Sequence, residues 1–310
     1  MHPSVYRNTT HFYRGKVRDV YGIGKKHLLL VASDRISAFD VILPKPIPHK
    51  GQVLNGIAGF MLQETKNVCE NWLLSMPTGN ASLGYRCQPF KVEVVVRGYL
   101  CGHAWRTYQS GKRKLCGAVM PDGLKESDPF PQPLITPATK AAAGHDEDIS
   151  EAEIIIQGLA TPAEWDEVRT KALALFAAGT SIAAKRGLIL ADTKYEFGKK
   201  ENRIVLMDEI HTPDSSRYFY ADGFEERQQR GERQKQLSKE FVREWLLQNG
   251  FSGKGGQQVP EMSDEWVHTI SQRYVELYER LTGLPFVPDA LSELEAIEKI
   301  NTDIDALETV

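Results

Sequence analysis

The sequence predicts an α+β protein in two lobes, built from antiparallel sheets with helices packed on them. Three observations carry that reading. At 310 residues the chain exceeds the size at which a single core keeps growing, so about two domains are expected. Residues 12–32 and 188–207 each hold two apolar or alternating runs joined by a short glycine-rich or polar link, the pattern of β-hairpins. Residues 51–66, 161–186 and 263–282 carry apolar side chains at helical spacing. The expected division is a β-rich lobe over residues 1–95 and a mixed α/β lobe over residues 96–310.

Composition narrows the partners. With 25% charged residues and a net charge of −3, the chain lacks the basic excess of a nucleic-acid or anionic-membrane binder. No apolar run approaches the ~20 residues of a membrane span. The opening MHPSVYRNTTHFYRGK has no apolar signal-peptide core. Cys69, Cys87, Cys101 and Cys116 form no CxxC pair and read as reduced thiols of a cytoplasmic protein, not a disulfide scaffold or zinc site. Small-molecule partners are expected, with no nucleic acid and no membrane; monomer and homo-oligomer are equally compatible with the sequence.

In chain order, FYRGKVRDVY, the glycine link Gly22–Lys26 and the buried-strand pattern HLLLVA describe a hairpin. Its Gly15, Lys16 and Arg18 could lie over phosphates, although this is not the Walker pattern. The polar segment Ser33-Asp34-Arg35-Ile36-Ser37-Ala38-Phe39-Asp40 leaves that strand, where ligand contacts or a locally bonded turn are both reasonable. Pro44, Pro46 and Pro48 exclude a helix before residue 51, and Asn55 near the next helix start faces ligand or solvent.

Residues 90–100 form a β-branched strand linking the lobes, with Lys91 and Glu93 on one face. Arg97 at its end either pairs with a substrate anion or snorkels to the surface. Residues 102–111 read as a short helix, and 121–137, with five prolines, as irregular. A second polar cluster, Thr136–Lys140 and Gly144–Asp148, contains Thr139, Lys140, His145 and Asp146, and Asp148 or Ser150 can cap the short helix that follows. Thr161-Pro162-Ala163-Glu164 is a strong helix start, and that helix should run to about Arg186 and end at Gly187. Beyond Arg217, residues 224–245 and 263–282 read as packing helices around the break at 250–260, and 290–310 as a peripheral helix.

The central hairpin carries the chemistry. In an extended run Asp192, Lys194 and Glu196 share one face. A three-residue loop, Lys200-Glu201-Asn202 with Asn202 left-handed, would pair Lys199 with Arg203 and set Asp208 opposite Lys194 and diagonal to Glu196. Two carboxylates beside a lysine suit Mg²⁺ next to a phosphate, since magnesium takes few protein carboxylates; the plain alternative is a solvated charged hairpin face. The loop Thr212-Pro213-Asp214-Ser215-Ser216-Arg217 adds hydroxyls and an arginine suited to an anion.

GKVRDVY, SDRISAFD, VVRGYL, TPATK with GHDE, LADTKYEFG and DEIHTPDSSR, in that order over residues 15–217, resemble the SAICAR synthetase (phosphoribosylaminoimidazole-succinocarboxamide synthase) family. The resemblance implies a two-lobed, ATP-grasp-like fold with an ATP cleft between lobes. It also implies ligation of 5-amino-1-(5-phosphoribosyl)imidazole-4-carboxylate (CAIR) with L-aspartate, using ATP and Mg²⁺, in purine synthesis. On this reading Gly15, Lys16 and Arg18 contact ATP phosphates, and Lys91 and Glu93 lie by the nucleotide. Glu196 and Asp208 hold magnesium, and Arg97 and Arg217 hold the CAIR phosphate. Asp192 and Lys194 line the imidazole and carboxylate site and are the expected catalytic residues. Ser33, Asp34, Arg35, Ser37 and Asp40, with Thr139, Lys140, His145 and Asp146, close over CAIR and aspartate, and Ser215 joins the phosphate loop. Where a small hydroxyl residue is expected after VRGYLxG stands His103, which can still donate to phosphate. A kinase-type phosphotransferase is the rival enzyme reading, against which no HRDxxxxN or DFG set is present. A nucleotide-sensing module is the non-enzymatic one, against which Glu196 and Asp208 both stand.

Overall fold

A computed structural model describes residues 5–140 and 146–307. The chain opens with β1 (Thr9–Arg14), β2 (Arg18–Ile23) and β3 (His27–Ala32), then the short pair β4 (Ser37–Ala38) and β5 (Val41–Ile42). Helix α1 (Lys50–Glu64) and strands β6 (Leu73–Thr78) and β7 (Ala81–Tyr85) follow. Next come β8 (Gln88–Tyr99), α2 (Gly102–Gln109), β9 (Lys114–Leu115), β10 (Ala118–Val119), β11 (Pro129–Ile135), β12 (Ala138–Thr139), α3 (Glu151–Ile156) and α4 (Pro162–Ala184). Then β13 (Leu188–Lys200), β14 (Arg203–Met207), β15 (Ser216–Tyr220), α5 (Phe224–Arg230) and β16 (Gln236–Leu237) lead to α6 (Glu240–Gln248), α7 (Asp264–Thr282) and α8 (Glu293–Ala306).

Two compact units emerge, neither continuous in sequence: Met1–Phe60 with Trp72–Arg86 and Lys239–Val310, and Met61–Asn71 with Cys87–Ser238. The expected division after residue 95 falls inside β8, and the last seventy-odd residues group with the first unit. In that unit a five-stranded antiparallel sheet runs β1-β2-β3-β7-β6. Tyr21, Leu29 and Leu83 bury one face of it against Ile300 and Ile304 of α8, whose start is closed by a Ser292–Glu295 capping box. Asn55 belongs to this core: its amide donates to the carbonyls of Gly79 and Ala81 and accepts from Ser82, so it faces neither ligand nor solvent. A buried amide needs every such partner.

The second unit is built on a larger antiparallel sheet, β11-β8-β13-β15-β16, with β12 also on β8 and β14 on β13. Along β8 the pleat sorts the side chains: Phe90, Val92, Val94 and Val96 are buried, while Lys91, Glu93 and Arg97 take the other face. Helix α4 starts at the Thr161–Glu164 capping box with Pro162 in its first turn and stops at Ala184, close to the expected end. Ser150, not Asp148, caps α3.

Two expected elements differ. Residues 129–135 were expected to be irregular, yet they form β11 on β8, with the register broken between Pro129 and Leu134. Proline is tolerated there because β11 is an edge strand. The stretch 224–245 is not one helix: Gly231, at φ 67°, ends α5, and β16 intervenes before α6. All four cysteines are free thiols. Among the described residues no helix is long and apolar enough to cross a membrane.

Candidate active site

β8, β13 and β15 run side by side, and their pairing sets Asp192 between Arg97 and Arg217. Both guanidiniums donate to the same atom, Asp192 Oδ2, at 2.8 Å from Arg97 Nη1 and 2.6 Å from Arg217 Nη1. Arg97 Nε also donates to Thr136 Oγ1 at 2.8 Å. Asp192 is only 2% exposed, and a carboxylate is tolerated there because it is doubly paired. Arg97 is buried too, so it does not snorkel to the surface. Two guanidiniums converge on one carboxylate here, and guanidinium forks suit an anion. The Arg217 guanidinium fills the space where a Cβ on Gly102 would lie, and Gly102 has φ 56°; glycine alone meets both demands.

Farther along β13, Lys194 Nζ donates to Glu93 Oε1 at 2.6 Å and to Glu196 Oε1 at 2.8 Å. Lys140 Nζ takes the other Glu196 oxygen. β12 delivers Lys140 there by pairing with β8 at Val92 and Glu93, and the Lys140 amide donates to the Lys91 carbonyl at 3.0 Å. Lys91 itself is exposed on this face. Burial alone would push the Lys194 pKa down, but Glu196, Glu93 and Asp208 outweigh it and hold the ammonium above its ordinary value. Glu196 is opposed by burial but answered by both Lys194 and Lys140, which hold it down to about 2. Burial raises Glu93 above the usual range, because Lys194 opposes that only partly while Glu196 and Asp146 add to it.

The hairpin joining β13 and β14 is one residue tighter than expected. Lys200, not Lys199, pairs with Arg203, and Glu201 rather than Asn202 is left-handed, at φ 58°. A positive φ at the first loop residue matches the twist of the flanking strands and gains a further cross-strand pair. Glu196 consequently faces Met207, so continued pairing would not place Asp208 opposite Lys194. Asp208 leaves the strand in a left-handed conformation, φ 61°, and its charge still acts on Lys194.

Beside this face, Ser215 offers its carbonyl to the Lys194 amide at 3.0 Å, and its hydroxyl meets Thr212 Oγ1 at 3.2 Å. His103 Nε2 lies 2.8 Å from Asp148 Oδ2 at the start of α2. Thr139 Oγ1 accepts from the Glu147 amide at 3.1 Å. His145 lies outside the described residues.

In the first unit, Gly15, Lys16 and Val17 form the turn between β1 and β2, so Lys16 precedes the strand that Arg18 begins. A Cβ on Gly15 would meet the Arg18 carbonyl oxygen at 2.7 Å. Arg35 Nη2 donates to Asp19 at 2.6 Å and to the Gly15 carbonyl at 3.1 Å, while its Nε reaches the Lys16 carbonyl at 3.2 Å. Ser33 Oγ donates to the Val17 carbonyl at 2.8 Å, and Lys16 pairs with Asp40. Asp34 Oδ1 accepts from the Gly51 amide at 2.9 Å, beside the start of α1. Ser37 is buried in β4. The segment from Ser33 to Asp40 thus shapes the basic turn.

The SAICAR synthetase family model matches residues 11–259. The chain belongs to the SAICAR synthetase family. It is 60% identical over 289 residues to the phosphoribosylaminoimidazole-succinocarboxamide synthase of Bacteroides thetaiotaomicron, covering 93% of this chain and 92% of that one. The enzyme of that name from Cytophaga hutchinsonii is 60% identical over 277 residues, covering 89% of each. Among solved structures, the Saccharomyces cerevisiae SAICAR synthase complexed with SAICAR superposes with TM-score 0.78 at 34% identity, covering 91% of this chain and 97% of that one. As a SAICAR synthetase the chain is a ligase of purine biosynthesis that joins CAIR to L-aspartate.

For several polar groups of this SAICAR synthetase the sequence did not show the side-chain partners. Thr136 anchors Arg97; Thr193 and Ser216 exchange a 2.7 Å hydroxyl bond across β13 and β15; Thr212 Oγ1 donates to Glu209 at 2.6 Å. His211 Nε2 meets the Tyr195 hydroxyl at 2.8 Å, and burial pushes its pKa down to about 3. Apart from the local Thr212–Glu209 bond, the partners are remote in sequence, so no spacing rule singles them out.

Proposed function

We propose that the face carrying Asp192, Lys194 and Glu196 is where ATP activates CAIR for attack by aspartate. The observation that carries this is Asp192 Oδ2 shared by Arg97 and Arg217, two residues along β13 from Lys194 with its carboxylate partners. It supplies an anion-binding end and an acidic end on one strand, as a phosphorylated carboxylate substrate requires. Arg217, on the rim, meets the CAIR phosphate, and Arg97 supports it through Asp192. Ser215 and His103 border that end. Lys194 faces the reacting carboxylate. Lys140, Thr139 and Asp146 serve the aspartate side. Within the first unit, Lys16 and Arg18 on the Gly15 turn supply charge for ATP phosphates.

Carboxylates are poor electrophiles. Transfer of the γ-phosphoryl group of ATP to the CAIR carboxylate gives an acyl phosphate and ADP. The neutral amine of aspartate then attacks the acyl carbon, phosphate leaves with the bonding electrons of the C–O bond, and the proton lost from the amine passes to the departing phosphate or to solvent. No covalent enzyme nucleophile is needed. The residues position three anionic substrates and offset their charge. Glu196 and Asp208 present the hard oxygen donors that magnesium takes, so the donor set fits it, and they would hold it. Bound there, Mg²⁺ would neutralise phosphate charge during transfer. We place the enzyme in the cytoplasm, with small-molecule partners only.

The test is ADP release with ATP, Mg²⁺ and CAIR, run with and without L-aspartate and with the imidazole product followed by mass. Aspartate-dependent ADP matched by succinocarboxamide is the expected result. ADP release without that product, or without dependence on aspartate, overturns the reading.

A further inference from the structure

His211 lies in a loop already dense in candidate site residues, yet the chemistry above gives it no part. Its side chain and backbone fasten that loop to three elements. Nε2 meets the Tyr195 hydroxyl of β13 at 2.8 Å, and Tyr195 stands between Lys194 and Glu196. Its carbonyl accepts from the Tyr218 hydroxyl of β15 at 2.8 Å, and Tyr218 follows Arg217. Its ring lies against the backbone of α4 at Gly179, where any Cβ would overlap the imidazole. His211 and both tyrosines are fully buried. Nδ1 is buried with no hydrogen-bond partner among the described residues, so the residue is not kept for complete polar satisfaction.

What the three anchors hold is unusual backbone. Asp208 and His211, three residues apart, are both left-handed, at φ 61° and 59°. Non-glycine residues persist there only when their surroundings over-determine them. Asp208 directly follows β14, and its charge acts on Lys194. The same loop ends at Ser215, whose carbonyl accepts from the Lys194 amide.

We infer that His211 is a positioning residue, pinning the segment 208–215 to β13, β15 and α4 so that Asp208 is held toward Lys194 and the cation. This rests on the reading of Asp208 as a cation ligand. The imidazole acts as a neutral, rigid spacer between the strand hydroxyl and the helix backbone. A glutamine can replace its bond to Tyr195; a phenylalanine fills the volume without that bond.

The experiment compares His211→Phe, His211→Gln and Gly179→Ala with the parent enzyme, by thermal midpoint, kcat, KM for CAIR, and direct Mn²⁺ binding followed by electron paramagnetic resonance with ATP present. The expected result for His211→Phe is Mn²⁺ affinity and kcat each reduced tenfold or more, with KM for CAIR within twofold. His211→Gln should recover most of both, and Gly179→Ala, which displaces the ring, should reproduce the loss. Parental Mn²⁺ affinity and kcat in His211→Phe, whether or not its midpoint falls, overturn the inference. Asp208→Asn is run alongside: if it keeps parental Mn²⁺ affinity, the cation-ligand reading itself fails, whatever His211 does.

Discussion

Glu93 and Glu196 stand directly opposite one another on β8 and β13, and their acidities move in opposite directions. Lys194 bonds both; only Glu196 has Lys140 as well. One further ammonium separates the pair: it helps hold Glu196 down, while burial leaves Glu93 raised.

The first prediction is a pH dependence of stability. The folded-state pKa of Glu196 lies near 2 against an ordinary value of 4.5. Its contribution is therefore present above pH 4.5 and is lost as pH falls toward 2, with a slope of at most roughly 1.4 kcal/mol per pH unit. Glu196→Gln should flatten that part of the acid limb. Urea midpoints taken across the window test it, and an unchanged limb removes Glu196 as its source.

Arg97 and Arg217 share one oxygen but should fail differently. Arg217→Ala should raise KM for CAIR by roughly 10- to 100-fold, the worth of a charge-assisted hydrogen bond, and leave KM for ATP within twofold. Arg97→Ala should cost about 3 kcal/mol of stability, since Asp192 stays buried with half its partners. Paired kinetic and denaturation series separate the two, and equal kinetic losses without destabilisation contradict the division of labour.

Asp208→Asn should abolish Mg²⁺-dependent turnover at an unchanged thermal midpoint. Near-parental turnover across a magnesium titration removes Asp208 from the cation site.

Arg35 touches no expected phosphate ligand except through the backbone of the basic turn. Its removal should loosen Gly15 and Lys16, raising KM for ATP several-fold with KM for CAIR unaffected. Steady-state kinetics of Arg35→Ala decide this; a selective rise in KM for CAIR instead would move Arg35 to the substrate itself.

These predictions draw on features of unequal legibility in the sequence. The face shared by Asp192, Lys194 and Glu196 follows from the two-residue period of a strand, and the Thr161 helix start from its capping residues. Local geometry wrote both. The hairpin register was misread by one residue because both loop lengths use the same letters, and only packing over the whole ladder selects Glu201 as the left-handed residue. Arg97 could be read as bound or surface-seeking, since its partner Asp192 is 95 positions away. Lys140 on Glu196 and Arg35 on the Gly15 turn were equally hidden. Ser33 and Asp34 could be read as ligand contacts or as a locally bonded turn, and their side-chain bonds go to backbone at Val17 and Gly51, far off in sequence.

The proline-laden strand β11 has a consequence for the protein in crowded solution. It lies at one margin of the larger sheet, and residues 129, 131 and 133 have no amide hydrogen to offer. A second molecule's strand seeking to extend the sheet there meets a margin stripped of alternate donors. The prolines that disguise this strand in the sequence thereby discourage edge-to-edge aggregation, at a place where no charged side chain has been spent on the task.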